Sequence, residues 1–186
     1  VKGPSVFQGY YKDDKKTKEA FTEDGYFMTG DIGHIDEEGF LHITDRKKEM
    51  FKTSGGKYVA PQVLENLAKG SKFIEQIMVV GDGEKMPCAL VQPDYAFAKL
   101  WAERKHLKIG KTPEEMANSP ELKARIMKDI NLLNATLGKW EQIKKIELTP
   151  TLWTIEDGLL TPTMKLKRKA VKEKFFNLYE KLYDRA

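Results

Sequence analysis

Two apolar, partly β-branched runs, Ile74 to Val80 and Cys88 to Gln92, stand either side of Gly81-Asp82-Gly83-Glu84-Lys85, and no other stretch limits the fold as strongly. Glycines and an aspartate between two such runs predict a hairpin. Helical patterns surround it. Pro61 opens a helix through Ala68, because the first helical turn leaves its N–H groups unbonded and loses nothing to a proline. Tyr95 to Lys105 is helical in composition, Ser119-Pro120-Glu121 caps a helix running to about Leu137, and Gly138 ends it. Ile143 to Leu148 reads as a strand and Leu166 to Tyr183 as one long basic helix. Strands and helices interleaved in this way predict a small α+β domain.

Upstream of about Asp45 the pattern is different: short strands over Ser5 to Gly9, Tyr26 to Ile35 and Phe40 to Thr44, with a polar loop or short helix from Lys12 to Phe21. A strand near Met50-Phe51-Lys52 and a Gly-Gly turn follow, so a domain boundary is expected near Asp45 to Lys48. The first residues, Val1-Lys2-Gly3-Pro4-Ser5-Val6-Phe7-Gln8-Gly9-Tyr10, lack the order of charged, apolar and small residues that marks a signal peptide. They read as a strand entered from an upstream chain, which predicts a piece of something larger.

At 186 residues the chain can bury a real core. Hydrophobic residues make up 40% and charged ones 32%, and no apolar run approaches the roughly 20 residues of a membrane span, so no transmembrane helix is expected. The net charge of +4 is modest, but its distribution is uneven. Lys165, Lys167, Arg168, Lys169, Lys172 and Lys174 crowd one segment. That segment is either a solvated helix face or an anion-binding surface for phosphates, nucleic acid or acidic lipid. Cys88, the single cysteine, cannot form an internal disulfide, fits a reducing cytosol, and reads as a buried strand thiol rather than a nucleophile. His34, His42 and His106 have no metal-ligand spacing, and no metal site is expected.

Two motifs in the first third carry chemistry. Tyr26-Phe27-Met28-Thr29-Gly30-Asp31 ends in a carboxylate that can accept hydrogen bonds from both hydroxyls of a ribose, and Gly30 and Gly33 relax the backbone around it. Thr44-Asp45-Arg46-Lys47-Lys48 supplies, in Arg46, a planar and always-charged donor fork for ribose or phosphate oxygens. Between them, Ile35 to Ile43 reads as strand, Gly39-containing turn and strand, a hairpin that would bring Asp31 and Arg46 together. Taken singly, Asp31 reads as a turn residue bonded to local backbone and Arg46 as part of a solvated charge run. Thr53-Ser54-Gly55-Gly56-Lys57 is not a Walker phosphate loop, since Tyr58 follows the lysine and the first glycine is misplaced. The ordered combination says more than any one piece.

In that order, the residues resemble the C-terminal part of adenylate-forming enzymes, and within them the long-chain fatty acid CoA ligase branch. Gly3 to Tyr11 is similar to the segment that enters the last N-terminal subdomain of that family; Tyr26 to Asp31, Asp45 to Lys48 and Ser54 to Glu65 follow. Asp157-Gly158-Leu159-Leu160-Thr161-Pro162-Thr163-Met164-Lys165-Leu166-Lys167-Arg168 resembles the C-terminal lysine motif. Many relatives have glycine where Met164 stands, a departure that points to the long-chain branch.

The resemblance implies a β-rich tail of the large AMP-binding domain over residues 1–47, and a mobile α+β C-terminal domain over 48–186 with its hinge near Lys48. It implies ATP, CoA and a fatty acid as substrates, with Mg2+ bound mainly through residues outside this sequence. Lys165 would stabilise the charge that develops on phosphate and carboxylate oxygens during adenylation. Gly55 and Gly56 would let the backbone approach the pantetheine arm of CoA, with Lys52 and Lys57 beside its phosphates. Asp31 and Arg46 would hold the nucleotide. The phosphate loop, adenine pocket and acyl tunnel of the family are not in this sequence, so the chain alone is expected to fold but not to catalyse. Alternatives are an adenylation domain that loads a carrier-protein thiol and a basic nucleic-acid-binding module. No nucleic acid is expected, and a cytoplasmic location with peripheral contact to acidic lipid is compatible with the basic segment.

Overall fold

The structure is a computed structural model that describes residues 1–185, with the backbone alone at Asp45. The chain divides into two compact units, Val1–Glu49 and Met50–Ala186.

In the first unit, helix α1 (Asp14–Ala20) starts where the Asp13 carboxylate accepts the Lys16 N–H at 2.9 Å. Strands β1 (Asp31–Ile35) and β2 (Leu41–Arg46) form an antiparallel hairpin with a bulge between Ile32 and Gly33. A Cβ at Gly33 would run into the His42 carbonyl, so the bulge requires a glycine. The Asp36 carboxylate accepts the Glu38 and Phe40 N–H groups and bonds His42 at 2.6 Å, closing the turn that Gly39 completes at φ +88°. No strand forms over Ser5 to Gly9, and the expected strand from Tyr26 starts only at Asp31. Those backbone groups are engaged elsewhere: Val6 N–H donates to Gly3, Phe27 N–H to Val1 and Met28 N–H to Ala20. Phe7 meanwhile clusters with Tyr10, Phe21 and Phe27.

The second unit opens with a short antiparallel hairpin, β3 (Phe51–Lys52) and β4 (Tyr58–Val59), leading into α2 (Pro61–Ala68) with Pro61 at its start. A three-stranded sheet follows in the order β5 (Ile74–Val80), β6 (Cys88–Pro93), β7 (Ile146–Leu148). β6 pairs antiparallel to β5 and parallel to β7. Because side chains alternate along a strand, the two apolar runs serve two cores. Ile77, Val79, Ala89 and Val91 join Leu64, Leu122, Ile126 and Ile130 on one face. Met78, Val80, Cys88 and Leu90 join Trp153, Leu160, Val171 and Leu182 on the other.

Helix α3 (Tyr95–Lys105) is capped by Asp94, and α4 (Pro113–Ala117), which the sequence pattern does not predict, by a Thr112/Glu115 capping box. Helix α5 (Pro120–Asn134) ends three residues before Leu137. Its last side chain turns the chain back: Asn134 donates to Ile143 O at 2.8 Å and accepts from Ile143 N at 2.9 Å. With Ile143 held there, the strand begins only at Ile146. The long helix expected from Leu166 is two helices, α6 (Arg168–Lys174) and α7 (Phe176–Leu182). They part at Phe175, whose backbone leaves helical geometry at φ −110° and ψ 33° while its ring is buried beside Trp153. The fold is α+β, as the pattern of elements predicts.

Candidate functional site

The β1–β2 register places Asp31 directly opposite Arg46, and their side chains meet at 3.2 Å between Oδ1 and Nε. The pair is open to solvent, with 28% of the Asp31 side chain and 59% of the Arg46 side chain exposed. An exposed pair of this kind contributes about 0–1 kcal/mol, so a ligand offering hydroxyls exchanges for it at small cost. Just upstream, Gly30 takes φ +78°, where glycine is at ease, and its carbonyl accepts the Lys47 N–H at 2.8 Å. Lys48 is exposed in the turn that follows, closed by Glu49 N–H donating to Arg46 O at 2.9 Å.

In the second unit, Gly55 and Gly56 lie in the loop that joins β3 to β4. Thr53 closes this loop with its own backbone: its N–H donates to Lys57 O at 2.9 Å, and its carbonyl accepts the Gly56 N–H at 2.8 Å. Gly56 takes φ +80°, while a Cβ at Gly55 would meet nothing closer than Thr53 Oγ1 at 3.9 Å, which leaves that backbone approachable from outside. Lys52 lies over the Tyr58 ring and Lys57 over the Trp140 ring, each at 5.6 Å from the centroid. Beside the loop a cleft of about 330 Å³ is lined by Thr53, Lys85, Lys139, Trp140, Lys144 and Lys145 among others. Sequence reading missed this cleft, because its cations come from two distant segments that only folding brings together.

Lys165 stands exposed on a hairpin of its own, held by a Leu160–Leu166 bridge and by Thr161 N–H donating to Lys165 O at 2.8 Å. Thr161 Oγ1 accepts the Lys165 N–H at 3.0 Å, and Met164 N–H donates to Thr161 O at 2.8 Å. The turn then needs a left-handed residue, and Met164 supplies it at φ +60°. Glycine would adopt that conformation without strain, whereas a residue with a Cβ such as Met164 holds it at a cost. Leu159 and Leu160 are buried and root the hairpin in the core.

Of the rest of the basic segment, Lys167 and Lys169 are exposed, and the others have partners within the chain. Arg168 bonds the buried Glu65 at 2.6 Å and Val79 O at 3.0 Å. Lys174 pairs with Asp157 at 3.0 Å, and Lys172 lies over the Tyr179 ring at 4.0 Å. Among the described residues no group of three His, Cys, Asp or Glu side chains is placed to hold a metal ion, and no helix is long and apolar enough to cross a membrane.

Comparison with known proteins places this geometry in a family. A profile described as "AMP-binding enzyme C-terminal domain" matches residues 48–186. The chain is 42% identical over 185 residues to the long-chain-fatty-acid–CoA ligase FadD15 of Mycobacterium tuberculosis, covering 100% of this chain and 31% of that protein. It is 42% identical over 186 residues to long-chain-fatty-acid–CoA ligase 6 of Rattus norvegicus, covering 98% of this chain and 26% of the relative. The chain therefore spans only 26–31% of the length of these curated relatives. Among solved structures, the adenylation domain of a carboxylate reductase from Mycobacterium chelonae superposes with a TM-score of 0.78 at 29% identity, covering 98% of this chain and 27% of that one. With the profile matched from residue 48 to residue 186, the chain belongs to the family of AMP-binding enzyme C-terminal domains.

Proposed function

We propose that this chain is the C-terminal portion of a long-chain fatty acid–CoA ligase, which joins a fatty acid to CoA through an acyl adenylate. The observation that carries the reading is the likeness to long-chain-fatty-acid–CoA ligases at 42% identity over essentially the whole chain. In the first step a fatty carboxylate oxygen attacks the α-phosphorus of ATP and pyrophosphate leaves. Lys165 stabilises the negative charge that builds on those oxygens, and a lysine does so as a compact point charge. Asp31 accepts from the ribose hydroxyls, with Arg46 beside it. In the second step the CoA sulfur bonds the acyl carbon, the acyl–phosphate bond breaks and AMP leaves. Here Gly55 and Gly56 give the pantetheine arm a close approach, and Lys52, Lys57 and the lysine-lined cleft receive CoA phosphates. Lys48 is the pivot at which residues 48–186 change orientation between steps, bringing Lys165 and then the glycine loop to the adenylate. Magnesium enters in this reading with the ATP phosphates, which it binds together with waters and one or two carboxylates.

The test is made on the full-length protein that contains this chain. Lys165→Ala is expected to lower fatty-acid-dependent exchange of pyrophosphate into ATP by a factor of about 100 or more, while transfer from a supplied acyl adenylate to CoA persists. Unchanged exchange would remove Lys165 from the mechanism. The 186-residue chain by itself is expected to release no pyrophosphate, and turnover at an ordinary enzymatic rate would overturn that expectation. Transfer to a carrier-protein thiol in place of CoA would favour the carrier-loading alternative.

A further inference from the structure

We infer that Glu84 is a positioning residue for the glycine loop, clamped by Tyr179 of α7 and by Arg185 beyond its end; the inference rests on the role proposed above for Gly55 and Gly56. The turn between β5 and β6 is bonded to that loop through its backbone. Gly83 N–H donates to Lys52 O at 2.9 Å and Ser54 N–H donates to Glu84 O at 2.9 Å, so the turn grips the loop on either side of Thr53. The Glu84 side chain faces the other way, into α7 and the residues after it. Its Oε1 accepts the Tyr179 hydroxyl at 2.9 Å and the Arg185 Nη2 at 2.8 Å. Only 17% of the Glu84 side chain is exposed, and Arg185 is steadied in turn by Glu180 at 3.1 Å.

The geometry makes Glu84 a strut with two ends. One end is a charge-assisted cluster, the stronger class of hydrogen bond, and the other is the backbone carbonyl that fixes Ser54. Gly55 and Gly56 restrain themselves little, because glycine has the freest backbone. Their position is set by what holds the loop's ends, and one of those holds runs through Glu84 to residues 95 and 101 positions away in sequence. A loop that must present its backbone to a thioester arm loses rate when misplaced by about an ångström. Loosening the clamp therefore acts on the second half-reaction, while Lys165, on a different hairpin anchored by Leu159, Leu160 and Arg168, keeps its place.

The experiment compares wild type with Glu84→Ala, Tyr179→Phe and Arg185→Lys in the full-length protein, measuring two half-reactions separately. These are exchange of pyrophosphate into ATP driven by a long-chain fatty acid, and single-turnover transfer of a supplied acyl adenylate to CoA. Exchange is expected to stay within about twofold, and transfer to fall about tenfold in Glu84→Ala and less in the two milder variants. In the 186-residue chain, hydrogen exchange at the Ser54 amide is expected to quicken about tenfold in Glu84→Ala relative to its neighbours in β5 and β6. Equal losses in both half-reactions overturn the inference, as does unchanged transfer. If Glu84→Ala does not fold, Tyr179→Phe and Arg185→Lys carry the same comparison. A wild type that performs neither half-reaction defeats the functional reading instead, and Ser54 exchange then decides by itself whether Glu84 holds the loop.

Discussion

Single residues in this protein show how little a side chain's type says before its surroundings are known. Cys88 is fully enclosed in the second core, and burial pushes its thiol above the ordinary value. The stability this gives is fully present below the unfolded thiol value of about 8.5 and is lost as pH rises from there through the higher folded value. Labelling by a thiol reagent at pH 8 should accordingly proceed only at the rate of unfolding; a burst of labelling in the native protein would refute the enclosure. Asp31 was legible as a turn residue with an acceptor to spare, and Arg46 as a cation, but their 3.2 Å approach depends on hairpin register. Met164 carries the opposite lesson, since its left-handed backbone is invisible in the amino-acid type and shows only in the turn it closes.

Among the elements, those with local signals were read well. Pro61 starts α2 and Ser119 caps α5, because caps and N-terminal prolines act within three or four residues of themselves. Ends decided by distant partners were read poorly. The Asn134 to Ile143 clasp stops α5 and delays β7, and Phe175 breaks a helix whose sequence carries no proline or glycine there. Asn134→Ala should cost about 1–3 kcal/mol, since it leaves the buried Ile143 N–H without its acceptor. Urea unfolding measures it; a loss below about 0.5 kcal/mol would mean that the clasp is dispensable.

For the whole molecule, the two units differ in how they are held. Met50–Ala186 has a core on both faces of its sheet, whereas none of the described residues of Val1–Glu49 is buried. About fifty residues without buried side chains do not make an independently stable domain. Brief trypsin treatment of the 186-residue chain should therefore cut first at Arg46, Lys47 or Lys48 and upstream, leaving a resistant fragment that starts near Glu49. Mass spectrometry identifies it, and early cuts inside β5 or β6 would contradict the division.

By itself the sequence determined the α+β class, the β5–β6 hairpin and the order of motifs that marks the family, because alternation, caps and glycine turns are local properties of the chain. Only the tertiary structure decided which charges act. It drew Arg168 and Lys174 of the basic segment into ion pairs with Glu65 and Asp157, gathered lysines and Trp140 beside the glycine loop, and joined Glu84 to a helix nearly a hundred residues away. Charge interactions depend on distance through space and on burial, and neither can be counted along the chain.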